Sequence, residues 1–254
     1  MTVPGSSAAR PLAGARGQVD PQFLARLTGI LFIVTFITSI PPAFLFYAPV
    51  LNDPAYITGA GTGTGLAWGA LLELVLIIAN IGTAVALFPV LKRQNEALAL
   101  GYVTARLMEC TFIAVGILSL LAIGTLRLNA GGAGTDALVV VGKALVAVHD
   151  WTFRLGPGVV VGLGNGLILG YLMYRSRLVP RSLALLGLIG GPLILVSGAA
   201  VVLGAIEGLS VWQAIATIPE FFWELGLGIW LTVKGFNPAA LADLLADTAP
   251  APSR

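Results

Sequence analysis

Charge is scarce in this chain. Asp, Glu, Lys and Arg make up 10% of its residues, against about 25% in an average soluble domain. With 57% hydrophobic residues and a mean hydropathy of +0.93, too few polar side chains remain to cover a water-facing surface. Most of the surface must therefore face lipid. The net charge of +2 lacks the basic footprint of a nucleic-acid binder, and no nucleic-acid partner is expected. Cysteine is almost missing: Cys110 alone excludes an intrachain disulfide. Histidine is equally rare. With His149 as the only one, the zinc patterns built from several His or Cys are absent, and neither a metal nor another cofactor is expected. No GxSxG turn exists, and Ser119, Ser197 and Cys110 stand in apolar runs, so covalent catalysis has no evident nucleophile. A cleavable secretory signal is also lacking, because the first long apolar run does not end in a small-residue cleavage site.

Long apolar runs are what the chain has in abundance. A membrane span needs about 20 mostly apolar residues, and six segments qualify: 24–48, 66–91, 98–126, 145–174, 183–206 and 211–234. The expected fold is all-α, an integral membrane bundle of six transmembrane helices over residues 23–236. Residues 1–22, rich in Gly, Ala, Ser and Pro, read as a disordered cytoplasmic tail, and 237–254 as a short cytoplasmic C-terminal tail that begins with one amphipathic helix. Pro41-Pro42 predicts a kink or unwinding at the end of the first span. Residues 138–148 are also apolar, and the sequence leaves open whether they form a separate lead-in helix at the interface, ahead of the fourth span. "TGAGTGTG" (58–65) and "NAGGAG" (129–134) read as flexible connections.

Cationic residues set an orientation. Ten of them (Arg10, Arg16, Arg26, Lys92, Arg93, Arg175, Arg177, Arg181, Lys234, Arg254) fall in the tails and alternate loops, while the opposite loops hold only Arg127 and Lys143. That bias places both termini on the cytoplasmic side, the protein being multi-pass in the plasma (inner) membrane.

Seven charged residues nevertheless lie inside the spans: Glu73, Arg106, Glu109, Asp150, Arg154, Glu220 and Glu224. Each costs about 2.5–3.5 kcal/mol at a helix centre on insertion scales, so they must face inward, pair, or meet water. Arg106 and Glu109 are three residues apart, and Asp150 and Arg154 four apart, separations that make helix neighbours and allow ion pairs. Gln213, Thr217, Glu220 and Glu224 form one stripe on the sixth span, and Glu73 and Asn80 share a face of the second. Four helices with one polar face each predict a shared polar chamber, which His149 joins. Its five carboxylates outnumber its two arginines, so protons, a charged His149 or a bound cation must balance them.

Gly158, Gly162, Gly166 and Gly170 repeat every fourth residue in span four. Such a ridge lets another helix approach closely. In a multi-span chain it packs a neighbouring span; it would also serve a homodimer.

Five stretches carry a family resemblance: "ARLTGILFI", "ARLMEC", "HDWTFRLGPG", "GYLMYRSRLVPRSLALLGLIGG" and "PEFFWELGLGIWLTVKGF". Over residues 24–236 the chain resembles bacterial multi-pass membrane proteins grouped as domain of unknown function 4386. The resemblance implies a fold of about six membrane helices and no particular activity. It places Arg106, Glu109, His149, Asp150 and Glu220 at the family's polar signature positions.

The functional expectation is binding or transport of a small cation or polar solute coupled to carboxylate protonation. The binding residues would be Glu73, Arg106, Glu109, His149, Asp150, Arg154, Glu220 and Glu224, and the partners the lipid bilayer and that solute. An intramembrane enzyme acting on a lipid or prenyl substrate, with His149 and Asp150 as acid and base, is the alternative; a structural or sensor role is a third.

Overall fold

The computed structural model describes residues 19–59, 63–129 and 134–247. The expected disorder of the N-terminal tail and the Gly-rich stretches at 60–62 and 130–133 lie outside the described residues, as does 248–254.

Helix α1 (Pro21–Pro41) opens on Pro21, whose missing N–H costs nothing at a first turn, and Asp20 caps it by accepting from Gln22 N at 2.9 Å. At Pro41-Pro42 two adjacent donors are missing, and the helix widens into a π segment, Pro42–Phe46. A short α2 (Ala48–Asn52) and a single 3₁₀ turn (Tyr56–Thr58) follow. The second and third spans are α3 (Thr64–Leu91) and α4 (Glu96–Leu128), the latter capped by Asn95, whose Oδ1 accepts from Leu98 N. The fourth comprises α5 (Thr135–Leu155), two π segments (Gly156–Val160 and Gly162–Leu169) and α6 (Gly170–Ser176). Then come α7 (Arg181–Val202), α8 (Val211–Val233) and a terminal α9 (Pro238–Asp247). Among the described residues there is no strand, and six helical segments are long and apolar enough to cross a membrane.

The spans close into a ring in chain order. α1 packs on α3, α3 on α4, α4 on α5, the π segments on α7, α7 on α8, and α8 returns to α1. An even number of spans returns the chain to its starting end. The Gln22 amide accordingly bonds Phe236 twice, donating to its carbonyl at 2.9 Å and accepting from its N–H at 3.0 Å. Phe32, Leu87, Tyr102, Leu169, Trp223 and Leu227 fill the core at that end. α9 docks there through Leu241, so the expected amphipathic helix after residue 236 forms.

Residues 138–148 do not form a separate lead-in helix, the point the sequence leaves open. These residues are continuous with α5, which runs unbroken from Thr135. No Gly–Pro or capping pair separates 148 from 149, so nothing stops the helix there. The resulting span, Thr135–Ser176, has 42 residues, far more than the ~20 a bilayer requires. Its first turns pack Leu138 against Tyr47, Val50, Ile57, Leu120 and Ile123, forming a second core that caps the other end of the ring.

The glycine ridge is used inside the chain. A Cβ on Gly162 would stand 2.7 Å from the Gly191 carbonyl, and one on Gly170 3.2 Å from Leu188 N. Gly198 on α7 lies as close to the Gly158 carbonyl, at 2.7 Å from its own Cβ position. Two glycine faces thus let α7 and the fourth span touch backbone to backbone. Pro157, one residue into the first π segment, supplies the break that lets this span bend onto α7.

Candidate functional site

The polar residues predicted to share one chamber occupy two layers. The inner layer is built on α3, α4, the second π segment and α8. Arg106 and Glu109, one turn apart on α4, form an ion pair of 2.7 Å with 3% and 7% of their side chains exposed. Asn80 of α3 donates its Nδ2 to the other Glu109 oxygen at 3.2 Å, so both carboxylate oxygens are held. Across the ring, Asn165 donates its Nδ2 to Glu224 Oε1, while the Asn165 carbonyl accepts from Trp223 Nε1 at 2.9 Å. Glu224 and Glu220 both lie within electrostatic reach of Arg106.

Glu220 differs from the other two acids. It is 2% exposed, and neither carboxylate oxygen has a hydrogen-bond partner. Its Oε2 is wedged between Gly166 and Gly190, where an added Cβ on either would stand 2.8 Å away. Asn165 Oδ1 is likewise buried and unpartnered. Buried polar atoms are nearly always satisfied, so these three oxygens mark where the inner layer lacks donors.

The outer layer sits where α1 ends. Tyr47, just past the π segment, donates its hydroxyl to Glu73 Oε2 at 2.8 Å, and its ring meets His149 edge-on at 5.7 Å between centroids. His149 Nδ1 is 3.7 Å from Asp150 Oδ1, beyond hydrogen-bond distance, and has no partner. Asp150 keeps 44% of its side chain exposed and lines a cleft of about 200 Å³ together with Asp53 and Lys143. Glu73 and Asn80 are two turns apart on α3, and Leu76, Ile77, Ile113 and Ile117 fill the turns between the layers.

Two expectations are corrected. Asp150 and Arg154 form no ion pair. The Arg154 guanidinium instead stacks on Trp151 at 5.2 Å and rests against Gly208 in the turn between α7 and α8. Spacing brings the two Cβ atoms to one face, but Asp150 turns toward its cleft and Arg154 toward the ring's flank. The α8 stripe also divides: Glu220 faces the interior, while Thr217 is exposed and Gln213 bonds Leu209 N at 2.6 Å. The buried face of α8 runs through Ala216, Glu220, Trp223 and Leu227, so the stripe lies along its edge and only Glu220 is fully covered.

Sequence reasoning had no route to Tyr47, which lies 26 residues from its acid. A tyrosine after a Pro-Pro break is the only available signal. Ser119 and Ser197 donate to carbonyls of their own helices, as lipid-embedded hydroxyls must. Among the described residues no three His, Cys, Asp or Glu side chains converge closely enough to hold a metal ion.

A six-span helical ring around charged side chains defines a multi-pass membrane protein. Residues 27–235 match the family described as Domain of unknown function (DUF4386), and the chain belongs to that family. No curated protein and no solved structure matches it.

Proposed function

We propose that the protein binds, and moves across a bacterial inner membrane, a small cation or polar solute in exchange for protons carried by Glu109, Glu220 and Glu224. The observation that carries this reading is Glu220: a carboxyl 2% exposed, without a donor, beside two further acids and one arginine. Three acids against one buried cation leave a deficit that protons or a cationic solute must fill, since hydrocarbon does not tolerate uncompensated charge. Among the described residues no three His, Cys, Asp or Glu side chains converge, so the solute proposed is a monovalent or organic cation rather than a chelated divalent ion. Tyr47, Glu73, His149 and Asp150 lie at the cleft end of the ring, and Leu76, Ile77, Ile113 and Ile117 stand between them and the inner layer, so entry from that cleft requires these apolar side chains to move aside. The cationic tails and loops support cytoplasmic termini, which sets this cleft on the opposite side.

The enzyme reading has less support. Acid–base work by His149 and Asp150 needs them in hydrogen-bond reach of each other or of a substrate, and they stand 3.7 Å apart with Asp150 turned outward.

Proteoliposomes enclosing a pH-sensitive dye test the proposal. An inward gradient of sodium, potassium or choline should drive proton efflux above that of protein-free vesicles. Glu220→Gln should abolish the efflux while the protein remains folded. Efflux equal to that of empty vesicles for every cation, or unchanged in Glu220→Gln, would overturn it.

A further inference from the structure

A second cleft lies on the flank of the ring, between the fourth and sixth spans, with a volume of about 380 Å³. The π segment that begins at Gly156 packs on α7, and the wedge lies between this part of the fourth span and the first turns of α8. Its walls are Phe153, Pro157, Ala214, Ile218, Phe221 and Phe222. Phe153, Ile218, Phe221 and Phe222 are 41–54% exposed, so the cleft opens sideways, where acyl chains would be. Arg154 is the one charged residue in its lining.

The position of that charge gives the cleft a direction. Arg154 lies against Gly208, in the turn joining the end of α7 at Val202 to the start of α8 at Val211. For these two spans the hydrocarbon ends at this turn, and Trp212, 68% exposed beside it, is the residue type that marks a membrane–water interface. The Gln213 side chain sits at the same level. Its Oε1 is taken by Leu209 N, which turns its Nε2 donor toward Gly158 and the cleft. From there the apolar wall descends along α8 to Phe222, about 14 Å at 1.5 Å per residue. Among the described residues Arg154 has no carboxylate within ion-pair distance; Glu207, next to Gly208, is exposed and does not pair with it.

A planar cationic donor at headgroup level, an amide donor beside it and an aromatic trough below match one kind of molecule. We infer that this cleft is a binding site for an anionic glycerophospholipid of the surrounding bilayer, its phosphate on Arg154 and Gln213 Nε2 and one acyl chain against Phe153, Ile218 and Phe222. Guanidinium groups bind phosphate with two parallel hydrogen bonds, and the sideways opening of the aromatic trough suits an acyl chain. The site is separate from the inner acid layer and does not depend on its function.

Native mass spectrometry tests this with the full chain, purified in detergent and titrated with phosphatidylglycerol or phosphatidylcholine of identical acyl chains. The wild type should retain phosphatidylglycerol about tenfold more tightly than phosphatidylcholine, because the choline cation offsets the attraction of the shared phosphate to Arg154. Arg154→Gln should erase that preference, Arg154→Lys should restore part of it, and Ala214→Phe, which fills the trough and leaves the arginine, should weaken retention of both lipids. Size-exclusion profiles identify folded variants; if Arg154→Gln fails to fold, Ala214→Phe and Gln213→Leu carry the test. Equal retention of the two lipids by the wild type, or undiminished phosphatidylglycerol retention in folded Arg154→Gln or Ala214→Phe, would contradict the assignment.

Discussion

Arg106 Nη1 lies 2.7 Å from Glu109 Oε2, one helical turn away, with both side chains shut off from the surface. This pair neutralises one acid of the inner layer and leaves Glu220 and Glu224 to share what remains of the arginine's field.

Removing one partner of this pair strands the other. Arg106→Met and Glu109→Met should each destabilise the fold by about 3–5 kcal/mol, whereas the double replacement should cost clearly less than either single change. Unfolding in mixed micelles, followed by circular dichroism, measures all three. Additive losses would show that the two side chains do not depend on each other.

Gly166 has no room for a methyl group. A Cβ there would stand 2.8 Å from Gly191 N and from Glu220 Oε2. Gly166→Ala should therefore push α7 outward and cost about 1–3 kcal/mol. Gly134→Ala, at a position with nothing within 4 Å, should be close to neutral. Thermal unfolding in detergent compares them.

Asp150 and Arg154 should behave as strangers. A double-mutant cycle with Asp150→Asn and Arg154→Gln should return a coupling energy under about 0.5 kcal/mol. A larger value would mean that the pair forms in the membrane.

Periodicity and composition made the architecture legible because lipid permits so few solutions. With no water to satisfy backbone groups, a long apolar run must be a helix. The Arg106–Glu109 pair was equally legible, since both residues lie on one uninterrupted helix, where three residues bring side chains together. The same rule failed for Asp150 and Arg154, because spacing fixes where a Cβ sits but not which neighbour its charge finds: Trp151 and the Gly208 turn claim the guanidinium. The continuity of residues 138–148 with α5 is not legible in sequence for a related reason. Apolar residues at 138–148 look like a separate element only if a span is assumed to stop where the bilayer does, and α5 continues past it. The division into two layers depended on Leu76, Ile77, Ile113 and Ile117, whose apolar character is indistinguishable in sequence from lipid-facing filler. The glycine ridge was readable as a close-packing surface, and its partner emerged only with the matching glycines of α7.

The central claim is that the inner acids, Glu220 foremost, gain and lose protons within the folded bundle. Infrared difference spectroscopy of the protein in liposomes, across the pH range in which it stays folded, measures this through the carboxylic C=O band. A titrating band that loses intensity in Glu220→Gln, and is preserved in the cleft-facing variant Asp150→Asn, is the predicted result. Superimposable difference spectra for wild type and Glu220→Gln would contradict the account.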